Sequence, residues 1–207
     1  MERSYGPWVV LLGVTTVLLL AILLPPLDSL LASHEGLHHL QHGLSLVLGM
    51  GAGWASYQLV TTMAIRGTGG SQTLARDLLI VSRRANPGGY VSLGVAAGLL
   101  IFWHIPFFFN LAVLDGTVHI LEHFSFILAG GGVGFGLVLM SKWTRLGAFL
   151  VTVLGALFLS VFLVVFELHV YAVYPREHEV IFGVAMIYAM MPLMIYAVYR
   201  FLVEQVS

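Results

Sequence analysis

The chain contains no cysteine. That excludes disulfides, Cys-x-x-Cys redox chemistry, thiolate-bound zinc and iron–sulfur clusters. Charge is scarce as well: Asp, Glu, Lys and Arg make up 9% of the 207 residues, and the formal net charge is −1. The nine basic residues are too dispersed to form a nucleic-acid patch, so no nucleic-acid partner is expected. There is no phosphate-binding Gly-rich loop, no Gly-x-Ser-x-Gly and no Gly-x-Gly-x-x-Gly after a strand, and enzymatic activity is not expected. What fills the chain instead is apolar: 59% of residues, with a mean hydropathy of +0.96. Such a composition implies an integral membrane protein whose first partner is the lipid bilayer.

The apolar runs predict an all-α, polytopic bundle of six transmembrane helices in a single domain spanning 1–207. The helices are expected over about 8–27, 34–65, 90–113, 117–140, 146–171 and 180–201. Residues 8–27 are too long an apolar run for a signal peptide and are taken as an uncleaved first helix. Between the second and third helices, Leu74, Leu78 and Val81 share one face, with Arg76 and Arg83 elsewhere. A cytoplasmic amphipathic segment over about 72–84, lying on an anionic membrane surface, is expected there, with an ordinary solvated loop as the equal alternative. With both termini cytoplasmic, Arg3, Arg66, Arg76, Arg83, Arg84, Lys142, Arg145 and Arg200 all lie inside and only Arg176 outside, which satisfies the positive-inside rule.

Nine histidines, as many as Lys and Arg together, are the anomaly. On this topology His34, His38, His39, His42, His104, His119, His123, His169 and His178 all fall toward the extracytoplasmic side. His38/His42 and His119/His123 are each spaced four apart, which puts both imidazoles of a pair on one helical face. His119 and His123 share their face with Gly130 and Gly134, where small residues let a neighbouring backbone approach. Ionisable groups at the edge of a membrane are costly and point to function. The expected metal ligands are therefore His38, His42, His104, His119 and His123, with Glu35, His39, Glu122 and His169 in support. For His34, His39 and His178 the plainer reading is an interfacial residue bonded to water or headgroups.

The elements Trp103-His104-Ile105-Pro106 and His119-Ile120-Leu121-Glu122-His123-Phe124-Ser125-Phe126 resemble those of the CtaG-type membrane proteins, assembly factors of caa-type cytochrome c oxidases. That family also has an earlier His-x-x-Gln-His element, matched within His38-His39-Leu40-Gln41-His42. The resemblance covers roughly residues 34 to 200. It departs at Asn110, where the family often has Asp, at Glu177-His178-Glu179, where it often has Asp-Gln, and in the seventh helix that many members carry.

The resemblance implies copper delivery or retention in the plasma membrane, for a haem–copper oxidase subunit or another respiratory subunit. Imidazole suits copper; Met186, Met190 and Met194 form a stripe on the last helix whose soft sulfurs suit Cu(I), although lipid or core packing is the plainer reading of it. Zinc and haem b are the alternative cofactors. For haem, Gly49, Gly51, Gly53 or the Gly130–Gly136 run would have to admit the macrocycle. A non-catalytic accessory subunit of a respiratory complex is the remaining reading.

Overall fold

A computed structural model describes residues 5–166 and 169–206, the last three without their side chains. Arg3 of the charge count lies outside the described residues. Helix α1 runs over Gly6–Leu23, with Pro7 in its first turn. It ends four residues earlier than the sequence pattern suggests, because Pro25-Pro26 removes donors and clashes with the preceding turn. A short helix α2, Leu27–Ala32, takes the place of the expected connection. Helix α3, Glu35–Arg66, is the longest at 32 residues. His34 caps it: Gly36 N–H donates to His34 Nδ1 at 3.1 Å. That bond needs a neutral ring, and partial burial, aided by the neighbouring His178 ring, lowers the His34 pKa.

Helix α4, Gly69–Ala85, covers the amphipathic segment. A 3₁₀ turn at Pro87–Gly89 follows, where Gly88 (φ 58°) and Gly89 (φ 76°) adopt the left-handed conformation that L side chains resist. Helix α5, Tyr90–His104, and helix α6, Pro106–Leu114, replace the continuous helix expected over 90–113. Pro106 cannot donate inside a helix and biases Ile105 to extended backbone, so the chain breaks there and restarts with Pro106 in the first turn.

Helix α7, Gly116–Gly136, is capped by Asp115, whose carboxylate accepts from Thr117 N–H at 2.8 Å and Val118 N–H at 3.1 Å. It stops four residues short of the expected end. Helix α8, Lys142–Phe166, begins four residues early and ends before the expected 171; residues 167 and 168 lie outside the described set. Helix α9, Arg176–Val206, runs longer than expected at both ends and carries Pro192 within it.

Among the described residues all regular structure is helical. Four helices, α1, α7, α8 and α9 up to Val203, are long and apolar enough to cross a membrane. The bent pair formed by α4 with the turn and α5, meeting at 54°, would make a fifth. The chain is thus a multi-pass membrane protein. Its central element is α3, which packs most extensively on α7 and then on α1, while α8 and α9 pair with each other.

Candidate metal centre

The α3–α7 interface has two halves. In the lower half, backbone meets backbone. An added Cβ on Gly49 would come within 2.6 Å of the Ile127 carbonyl oxygen, and Gly53 and Gly134 lie still closer to Gly131 and Met50. Below them the Tyr57 and Phe135 rings meet edge-on at 5.0 Å. Since Gly49, Gly53, Gly130 and Gly134 are filled by the opposite helix, they offer no slot for a macrocycle. The opening for haem expected at these four positions is therefore closed.

The contacts also show that α3 and α7 run in the same direction. Each carries His-x3-His-x6-Gly-x3-Gly: His38, His42, Gly49 and Gly53 on α3, and His119, His123, Gly130 and Gly134 on α7. The intervals bring all four residues to one helical face. Glycines that draw the lower halves together therefore bring the upper halves, with their imidazoles, face to face.

At the centre of the upper half stands Glu122, fully buried. Its Oε2 lies 3.3 Å from His38 Nε2, 3.3 Å from His42 Nε2 and 3.9 Å from His119 Nδ1. His38, His42, Glu122 and His123 form a buried group whose ligand atoms lie within 4.8 Å of one another, and this group could hold a metal ion. Ligand atoms about 2.0–2.1 Å from a tetrahedrally bound ion stand about 3.3–3.4 Å apart, which matches the two shortest separations around Glu122.

Proton bookkeeping favours a cation among these groups. The Tyr174 hydroxyl donates to the Ala32 carbonyl at 2.8 Å and lies 3.3 Å from His38 Nδ1. Burial raises the Tyr174 pKa, with Glu35 and Glu122 adding to the effect, so the hydroxyl keeps its proton. Having donated that proton to Ala32, it accepts from His38 Nδ1–H. On the other side of the ring, His38 Nε2 faces the Glu122 carboxylate at 3.3 Å. Both ring nitrogens of His42, Nδ1 of His123 and Oε1 of Glu122 are buried without a hydrogen-bond partner. Unpaired buried polar atoms cost free energy, and one cation at the centre would engage the lone pairs among them together.

A second group, Asp28, His119 and His123, adjoins the first. His119 Nε2 is 3.1 Å from Asp28 Oδ1 and 3.2 Å from His123 Nε2. The buried side chain of Gln41 orients Asp28, donating to its Oδ1 at 2.7 Å and to the Ile22 carbonyl at 2.8 Å. Asp28 escaped the sequence analysis because it lies in the connection before α3, far in sequence from His119. Glu122, read there as a supporting residue, occupies the centre.

The other expected members lie apart. His104 Nδ1 bonds the Leu100 carbonyl at 2.7 Å, and its ring packs 5.6 Å from that of His39. It is no part of either group. His39 is bonded to the Glu35 carbonyl at 3.0 Å and its ring is stacked on Phe109 and Phe182. Glu35 is buried with neither carboxylate oxygen hydrogen-bonded. His169 Nε2 contacts the Tyr174 carbonyl at 2.8 Å, so it braces the loop that carries Tyr174. Glu179, which the sequence analysis overlooked, fixes that loop further by accepting from Val170 N–H at 2.9 Å and Tyr171 N–H at 2.7 Å. His34 and His178 stack on each other at 3.6 Å. Met186, Met190 and Met194 are half-buried on α9, whose main partner is α8. A surface cavity of about 560 Å³ lined by Lys142, Arg145 and Arg200 lies toward the other end of α9 and contains none of these groups.

The chain belongs to the family described as DUF1404, a protein of unknown function, whose sequence profile matches residues 13–204. No curated protein and no solved structure matches it.

Proposed function

We propose that this protein is a membrane metal-binding protein that carries a first-row transition metal, copper, as cargo between α3 and α7. His38, His42, His123 and Glu122 are the ligands. One observation carries the reading: a buried set of three imidazoles and one carboxylate whose ligand atoms lie within 4.8 Å of one another, several of the polar atoms of its members being unpaired. Four protein donors leave no open position for a substrate, which favours holding a metal over metal-assisted catalysis. Imidazole suits copper and zinc alike, and copper stands at the top of the divalent affinity order.

The resemblance of residues 34–200 to CtaG-type proteins supplies the client: a haem–copper respiratory oxidase in the plasma membrane, metallated during assembly. In this reading α3 is also a span. Six helices cross the bilayer, both termini are cytoplasmic and the His/Glu group lies at the extracytoplasmic boundary. Haem b fits less well. The His38 and His42 ring centroids are 4.3 Å apart and those of His42 and His123 5.1 Å apart, too close for a macrocycle to lie between two axial ligands.

Metal analysis of the full chain, purified in mild detergent, tests the reading. Copper is expected in the unaltered protein, and His42→Ala and His123→Ala should each lose it while His178→Ala keeps it. Equal metal content in all three variants would contradict the assignment. Bound zinc would move the cargo from copper to zinc, and a Soret band would replace it with haem.

A further inference from the structure

The two helices contribute to the centre in a related way. His38-His39-Leu40-Gln41-His42 on α3 and His119-Ile120-Leu121-Glu122-His123 on α7 share the frame His-x-Leu-(Gln/Glu)-His, and the paired glycines follow at the same offset on both. The two segments are parallel and face each other. Glu122 from α7 reaches His38 and His42 of α3. Its counterpart on α3 is Gln41, whose amide has no charge to offer. Instead, Gln41 grips Asp28 and sets that carboxylate 3.1 Å from His119 on α7. Asp28 thus supplies the carboxylate that Gln41 lacks.

The two halves differ in access. Asp28 and His119 are 21% and 13% exposed, whereas His38 and Glu122 are fully buried. A cation approaching the centre therefore meets Asp28 and His119 first. His119 Nε2 touches His123 Nε2 at 3.2 Å, and His123 belongs to both groups.

We infer that Asp28, His119 and His123 form a loading station for a divalent metal ion. The ion is handed from this station, through the shared His123, to the enclosed position made by His38, His42 and Glu122. The inference rests on the metal-carrier reading. It adds a second position, an order of occupancy and a role for Asp28 and Gln41. One ion occupies the pair at a time in this scheme, because His123 is common to both groups.

Rapid-mixing absorption with Co²⁺ as the sole metal tests this on the full chain in detergent, since tetrahedral Co²⁺ reports its own ligand field. Asp28→Asn keeps the acceptor for Gln41 and removes the charge; His119→Gln keeps a polar side chain and removes the imidazole. Both variants should reach the unaltered protein's final content of one Co²⁺ per chain, with the same final spectrum. Loading should be slower by about tenfold or more, the lower end of what removing a partner of a metal ligand costs. His42→Ala should instead lose the final spectrum. Unchanged loading rates in both variants would overturn the station. Loss of the final spectrum in either, as in His42→Ala, would also overturn it by making all the residues one site. Two Co²⁺ per unaltered chain would overturn the single-ion handover. Failure of the unaltered chain to take up Co²⁺ at all would overturn the carrier reading itself, and the station with it.

Discussion

The upper and lower halves of the α3–α7 interface lie on the same two helical faces and do opposite things. Below, Gly49, Gly53, Gly130 and Gly134 let the two backbones touch. Above, side chains with the same periodicity are histidines that surround a carboxylate. The lower half is closed by backbone at the glycines and by the Tyr57 and Phe135 rings. The upper half holds several buried polar atoms without partners. In a lipid surrounding, helix association comes from close packing and not from hydrophobic burial. The lower half therefore provides association and register, and this lets the upper half carry groups that would otherwise drive the helices apart. The comparison also explains why α3, the longest helix, is absent from the clearly apolar spans: its neighbours cover much of its surface.

The largest effect should come from breaking the lower half. Gly53→Leu or Gly134→Leu must push the backbones apart, at a cost on the order of 1–3 kcal/mol or more for overpacking. Thermal melting in detergent should show a clear loss of stability. Metal content should collapse with it, although no ligand has been altered. Gly94→Leu or Gly98→Leu on α5, where an added Cβ meets nothing within 4 Å, should leave both readouts unchanged.

Breaking the centre of the upper half comes next. Glu122→Gln keeps the shape and removes the charge that His38 and His42 share. Metal affinity measured by chelator competition should fall by more than the roughly 10–100-fold typical of altering a supporting residue. Retained affinity would mean that the carboxylate is not a ligand.

Tyr174→Phe acts one step further out. It removes the group that accepts from His38 Nδ1, so the ring is free to change tautomer. Affinity should drop by about 10–100-fold with the helical content intact.

The smallest effect concerns the cap of α3. The folded state holds the His34 pKa below 6.5, so the unfolded chain binds more protons there. Stability is complete above that value and declines as pH falls through it, because a protonated His34 cannot accept from Gly36 N–H. His34→Asn, which caps without titrating, should flatten this part of the pH–stability curve.

Sequence periodicity was enough to find the two His pairs, and the shared face of His119, His123, Gly130 and Gly134 pointed to the packing. Local spacing has this power because a helix converts it directly into a face. The rest depended on contacts between residues far apart in the chain. Asp28 and Tyr174 reach the centre from a short helix and a loop, and neither has a local pattern to mark it. His104 was misjudged for the opposite reason. Its ring does lie near that of His39, but Pro106 breaks the helix just beyond it. The His104 Nδ1 is then committed to its own backbone. The repeated His-x3-His-x6-Gly-x3-Gly frame was present in the sequence, and aligning the two segments on their histidines would have revealed it before any contact was known.

X-ray absorption at the edge of the bound metal tests the central claim most directly, because it reads the ligand shell itself. Three imidazole nitrogens and one carboxylate oxygen are expected at about 2.0–2.2 Å. A shell of oxygen alone would contradict the assignment.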